Sequence, residues 1–188
     1  MFKKIVFLGI IFIAVVSCAQ QEARRAVNIR SGTFLKESVE RNKALIAKEE
    51  ATIQKYIQRD TLNTYMASNN GFWYFYNDKS TTETYVPKKG DTLTYEFNIS
   101  KMATGDVIYK KEELGIQQYV VEKQQIIPGL RFGLQLMKKG ETVTFLFPSH
   151  IAYGYHGDNK RIGTNVPIQS TITLLDIKKD NKNLETEN

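Results

Sequence analysis

One cysteine and two histidines are the only side chains here that suggest covalent, metal or imidazole chemistry. The cysteine, Cys18, follows Met-Phe-Lys-Lys, an apolar run over residues 5–16, and Ser17. A positive start, an apolar stretch and a small residue before the cut form a secretory signal. The run is too short for an ordinary membrane span. Cys18 stands directly after that small residue. A single cysteine allows no internal disulfide and no thiolate metal site. His150 and His156 alone argue against a zinc centre and read as exposed loop residues. No nucleophile–base dyad stands out, and nothing implies a cofactor.

The elements that could build a non-covalent site are easier to read. Of 188 residues, 171 remain after the signal, enough for one domain and an extension. The charge of +6 falls to +4 once Lys3 and Lys4 leave, and the charges are interspersed, so there is no nucleic-acid footprint. Residues 18–33 are polar and read as a tether. Thr33 can cap a helix. Leu35, Val39, Leu45, Ile46, Ile53, Tyr56 and Ile57 then recur at helical spacing to about Arg59, interrupted by Asn42 and Glu49. This predicts an amphipathic helix, not a long coiled coil, that packs on its own domain; the second reading is a dimerisation or partner-binding arm. Asn69-Asn70-Gly71 is a turn, and Phe72-Trp73-Tyr74-Phe75-Tyr76 reads as a strand.

Alternation over residues 92–99 predicts a half-buried strand, with shorter strands over 107–109 and 118–122. Pro128, then Leu130, Leu134 and Met137 before Gly140, predict one short helix. Residues 142–147 and 168–177 supply the last strands. The expected fold class is α+β: an antiparallel sheet of five to six strands wrapped on one helix, preceded by the amphipathic helix. The expected divisions are 1–17 signal, 18–33 tether, 34–86 extension, 87–178 domain and 179–188 polar tail.

Gly90-Asp91-Thr92-Leu93, Gly105, Ile126-Ile127-Pro128-Gly129-Leu130, Met137-Lys138-Lys139-Gly140-Glu141, Ala152-Tyr153-Gly154 and Val166-Pro167 with Ile172, Leu174 and Leu175 resemble FKBP-type peptidyl-prolyl isomerases. They fall in that family's order over roughly residues 87–178. The resemblance implies a dry aromatic pocket for a prolyl ring, with donors to the flanking carbonyls and no nucleophile or metal. Position by position, it implies that Phe97, Ile108, Tyr119, Ile126, Leu130, Val166 and Leu174 line the pocket. The Ile127 N–H and the Tyr153 hydroxyl would be the catalytic donors. Three positions depart from the family pattern: Tyr109 where Asp is usual, Leu130 where active members often carry Trp, and Gln117 where another aromatic is common. They fit low turnover, or a weakly active or inactive chaperone or assembly module on the same fold.

Val15-Val16-Ser17-Cys18 is similar to the lipid-attachment signal of bacterial lipoproteins. Together with a single isomerase-like domain and an N-terminal extension, it resembles the gliding-motility-associated (GldI-type) isomerase lipoproteins. That implies a lipid-anchored protein of the cell envelope, acting on proline-containing clients, among them those of the gliding or secretion machinery. Cys18→Ser is expected to leave the chain uncleaved and unacylated. Radiolabelled palmitate incorporation and detergent-phase partitioning check this, and normal processing of the variant would refute it.

Overall fold

A computed structural model of the protein describes residues 31–181. The signal, Cys18, most of the tether and the end of the tail lie outside them. The first element among the described residues is helix α1, Ser31–Arg59, so that Thr33, expected as its cap, lies inside it. Among the described residues, those from Glu40 onward form one compact unit, which holds the whole sheet.

Among the described residues the sheet has eight strands, more than the five to six expected. They are β1 (Met66–Ala67), β2 (Trp73–Asp78), β3 (Thr92–Phe97), β4 (Ile99–Lys101), β5 (Val107–Tyr109), β6 (Gln117–Val120), β7 (Thr142–Phe147) and β8 (Ile168–Lys178). The spatial order is β1-β2-β7-β8-β3-β6, with β4 joining both β5 and β8, and every pairing is antiparallel. The excess over expectation has two local causes. β1 is a two-residue strand, too short for periodicity to reveal. The predicted strand over 92–99 is broken at Asn98, whose side-chain oxygen accepts the Thr171 N–H at 3.0 Å while its own carbonyl accepts the Ser170 hydroxyl at 2.7 Å. The short polar side chain takes a place in the ladder and lets the strand turn a corner.

β8 is the longest strand and pairs with β7, β3 and β4. A short helix, α2 (Lys111–Leu114), follows β5, and helix α3 (Pro128–Leu136) crosses one face of the sheet. Pro128 opens α3 where the missing N–H costs nothing. Gly129 and Gly133, one turn apart, let the helix descend onto Phe147 and Phe145. A Cβ on Gly129 would stand 2.7 Å from Phe147 Cδ1. Leu130, Leu134 and Met137 fill the space beside this contact in a core shared with Leu93, Tyr95, Phe97, Val143, Phe145 and Phe147.

The opposite face is covered from Glu40 onward by the last part of α1. Ile53, wholly buried, packs with Met102 and Leu146, and Tyr56, Ile57, Tyr65 and Trp73 surround them. Burying one such isoleucine stabilises the fold by roughly 1.5–3 kcal/mol. Coverage of both faces explains β7: its sequence alternates at Thr142-Val143-Thr144 and then turns continuously apolar at Phe145-Leu146-Phe147, all three buried.

Gly129→Ala is expected to destabilise the protein by about 1–3 kcal/mol, because the Phe147 ring it meets is itself fully enclosed. A lower urea midpoint with an unchanged slope would show it, and a midpoint equal to the parent's would contradict the packing.

Candidate functional site

The residues marked in the sequence come from every part of the fold. Phe97 ends β3, Ile108 lies in β5, Tyr119 in β6 and Leu174 in β8; Leu130 is in the first turn of α3. Ile126 and Ile127 lead into α3, Tyr153 follows the 3₁₀ turn Ser149–Ile151, and Val166 precedes β8. All nine lie in or against one apolar cluster. Tyr119 and Leu174 have no exposed surface and back it, while Ile126, Ile127, Tyr153 and Val166 are half-buried at its edge. The Tyr119 hydroxyl is occupied, accepting the Glu122 N–H at 3.2 Å. Glu122, at φ 59°, lies just past β6 and turns the chain toward Ile126.

Two donors at the edge of this cluster stand out. Ile127 is the N-cap of α3: its carbonyl accepts the Arg131 N–H at 3.1 Å, but its own N–H donates to no described residue. The Tyr153 hydroxyl likewise has no hydrogen-bond partner among the described residues. Burial, with the nearby Asp158 carboxylate and Tyr109, pushes the Tyr153 hydroxyl up to about 12. A hydroxyl held that high stays protonated near neutral pH and is available as a donor, not a base. Tyr95, tilted against Phe97 with centroids 5.6 Å apart, is pushed up to about 12 as well, by burial and by Tyr153 and Tyr119.

The resemblance assigns no residue from the loop over 155–165, yet that loop packs against the same cluster. Ile162, 3% exposed, inserts into the same cluster. Asp158 organises the loop: its Oδ1 accepts the N–H groups of Lys160, Arg161 and Ile162 at 2.9, 3.0 and 2.8 Å, and its Oδ2 accepts the Tyr109 hydroxyl. Gly157, at φ 64°, permits this closure, since a Cβ there would meet the Ile162 carbonyl oxygen at 2.1 Å. Arg161 stacks over the Tyr109 ring at 4.8 Å, donates to the Ile108 carbonyl at 2.9 Å and pairs with Glu113 at 2.6 Å. The signal available in the sequence was Gly157-Asp158-Asn159, a turn in which an aspartate caps the N–H groups just after it.

A match to the model of the FKBP-type peptidyl-prolyl cis-trans isomerase family covers residues 83–175. Residues 83–175 are thus similar in sequence to FKBP-type isomerase domains. The probable FKBP-type peptidyl-prolyl cis-trans isomerase FkpA of Neisseria meningitidis is 32% identical over 91 residues, covering 48% of this chain and 33% of that protein. Outer membrane protein MIP of Legionella longbeachae is 33% identical over 93 residues, covering 50% of this chain and 39% of that protein. The chain thus spans about two fifths or less of the length of these curated relatives. A crystal structure of a peptidyl-prolyl cis-trans isomerase from Pseudomonas syringae pv. tomato covers 73% of this chain and 96% of its own, with a TM-score of 0.57 at 17% identity, a likeness of fold.

Within the matched residues the three departures from the family pattern have structural consequences. Tyr109 does not stand alone but is joined to Asp158. Gln117 donates from Nε2 to the Leu114 carbonyl at 2.6 Å, closing the end of α2. Leu130 is an aliphatic floor, 5% exposed. A separate cavity of about 420 Å³, lined by residues 122–125 with Arg131, Phe132 and Gln135, has a wall of mixed polar and apolar character and shares none of the nine residues.

Burial pushes the Asp158 carboxyl up, but the Tyr109 hydroxyl and the N–H groups of Ile162, Lys160 and Arg161 outweigh it and hold the group below its ordinary 3.8. A folded-state pKa below the unfolded one means that the stability Asp158 contributes is complete above the unfolded value. It is lost as pH falls through the folded value. Tyr109→Phe removes the strongest of the lowering influences, so the Asp158 titration, followed by carboxyl-detected NMR, is expected to move to higher pH. The loop should then loosen earlier on acidification; an unmoved titration would show that the hydroxyl does not hold the carboxylate.

Proposed function

We propose that this chain is a peptidyl-prolyl cis-trans isomerase that works by desolvation and two fixed donors. The reading is carried by one observation: the Ile127 N–H and the Tyr153 O–H, neither bonded to a described residue, both stand at the edge of a single apolar cluster. An X–Pro amide resists rotation by about 18–20 kcal/mol because twisting breaks its resonance. Water favours the planar, more polar form, so moving the prolyl ring into an apolar pocket favours the twisted one. Phe97, Ile108, Leu130, Ile126 and Val166 would hold the ring, with Tyr119, Leu174 and Ile162 packed behind. The Ile127 N–H and Tyr153 hydroxyl would hold the carbonyls on either side of the bond while it turns. No bond is made or broken, and each ~1.36 kcal/mol taken from the barrier is tenfold in rate.

The same reading extends to place and clients. The signal and Cys18 support a lipid-anchored envelope protein, and uncatalysed prolyl steps of about 10–100 s would limit folding there. Proteins of the gliding or secretion machinery are the client class suggested by the resemblance of lipoprotein signal, extension and single domain taken together. The aliphatic floor at Leu130 favours a second reading, in which the pocket binds prolyl segments with little turnover.

The full chain, purified in mild detergent, is expected to accelerate cis/trans exchange in a proline tetrapeptide and the refolding of a protein limited by a prolyl step, in proportion to its concentration. Tyr153→Phe should lower kcat/KM by about threefold to tenfold, the loss of one modest hydrogen bond, with an unchanged circular dichroism spectrum. Binding of the peptide without acceleration by folded protein would select the second reading, and neither would reject both.

A further inference from the structure

Tyr153 is held in place by a chain of bonds that ends outside the residues matched to the family. The Ser149 carbonyl accepts the Ala152 N–H at 3.0 Å and the Gly154 N–H at 2.8 Å, so both neighbours of Tyr153 are tied to one oxygen. The N–H and hydroxyl of Ser149 donate in turn to the two carboxylate oxygens of Glu49, at 2.8 and 2.6 Å. Glu49 is 6% exposed and Ser149 1% exposed. Among the described residues no cation pairs with this carboxylate, so the two Ser149 donors are what compensate its buried charge. Glu49 belongs to α1, well before residue 83, where the family match begins. It shares a helix face with Ile53 and Tyr56, at spacings of four and three. Ile53 anchors that face in the second core, and the Tyr56 hydroxyl donates to Gln169 Oε1 at 3.0 Å. The face is thus rigidly seated beside the turn it supports.

We infer that Glu49 is a positioning residue for the proposed isomerase, fixing the Tyr153 hydroxyl from the opposite side of the sheet by way of Ser149. The inference rests on the reading of Tyr153 given above. Removing the carboxylate leaves two buried donors without partners, and the Ser149–Gly154 turn is the part of the chain that carries them. A charge-assisted bond is worth about 1.5–3 kcal/mol, on the order of tenfold or more in the opening of the segment it closes. Displacing a donor at the pocket should appear in turnover more than in substrate affinity, because the apolar walls remain.

Two measurements on the full chain test this, with Glu49→Gln, Glu49→Ala and Tyr56→Phe compared in detergent. In residue-resolved amide hydrogen exchange, both Glu49 variants should speed exchange at Ala152 and Gly154 by about tenfold or more, Gln less than Ala, with the amides of β7 and β8 unaltered. In isomerase kinetics, kcat should fall by about threefold to tenfold with KM nearly unchanged. The loss should largely disappear when Glu49→Gln is made in a Tyr153→Phe background, as expected of residues acting through one another. Tyr56→Phe should lower thermal stability without changing the exchange of those two amides or kcat. Unchanged exchange at Ala152 and Gly154 in folded Glu49→Ala would overturn the proposal, as would a kcat loss fully additive with that of Tyr153→Phe. If the parent protein shows no isomerase activity, the reading of its function fails, and exchange alone decides whether Glu49 holds the turn.

Discussion

The site depends on how closely α3 approaches the sheet. Gly129 and Gly133 present bare backbone to Phe147 and Phe145, and the ring of Phe147 occupies the space a Cβ would need. That approach sets the height of Leu130 above the strands, and therefore where the floor of the apolar cluster lies. It also places the N-cap of the helix at the edge of the cluster, with the Ile127 N–H facing away from the helix as the N–H groups of a first turn must. A helix held one side chain further out would leave a gap beneath Leu130 and displace the donor. The phenylalanines of β7 are in turn fixed from behind, because Leu146 between them is clamped by Ile53 of α1.

Around this core, carboxylates organise the loops. Asp91, with no exposed surface, accepts the Tyr85 hydroxyl and the N–H groups of Lys88 and Asp180. Glu141, 1% exposed, accepts the N–H groups of Lys138 and Ser80. Asp158 and Glu49 do the same for the segments that flank Tyr153. In each case a charged acceptor meets backbone donors that no strand or helix satisfies, in bonds stronger than neutral pairs allow. The loops framing the cluster are therefore held by specific carboxylates more than by apolar packing. A substitution of one of these acids acts at a distance set by the loop it organises.

This division explains what could be read from the sequence. β3 and β7 were visible as alternation, and α3 as a proline start with apolar residues at helical spacing, because local pattern determines them. The total of eight strands was not visible, since β1 has two residues and the break at Asn98 depends on its meeting Ser170 and Thr171, more than seventy positions away. Glu49 read as an interruption of an apolar stripe; it is instead the polar member of the buried face, and only its partner one hundred residues later makes that sense of it. The nine site residues could be gathered by resemblance. Asp158, Arg161 and Ile162 could not, because the loop's length obscured its register, and the pairing of Tyr109 with Asp158 is visible only in three dimensions.

Tyr109 therefore need not count as a simple loss. A wall position that carries a phenol in place of a carboxylate would leave the rim less acidic, but the phenol draws the Asp158 carboxylate to the same place from the loop. Arg161 then sits across the ring and reaches Glu113, so the negative charge at the rim is partly offset by a cation that also fastens the loop to α2 and to the Ile108 carbonyl. The rim becomes a closed set of interactions in place of a single projecting acid. Such a rim is harder to deform, and a reaction that proceeds by removing water from an amide gains from walls that do not yield to it. Rigid loops, a floor set by two glycines, and two donors held at the edge are what the proposed chemistry requires. Proton transfer is not, and a Tyr153 hydroxyl that stays protonated until about pH 12 is consistent with its absence.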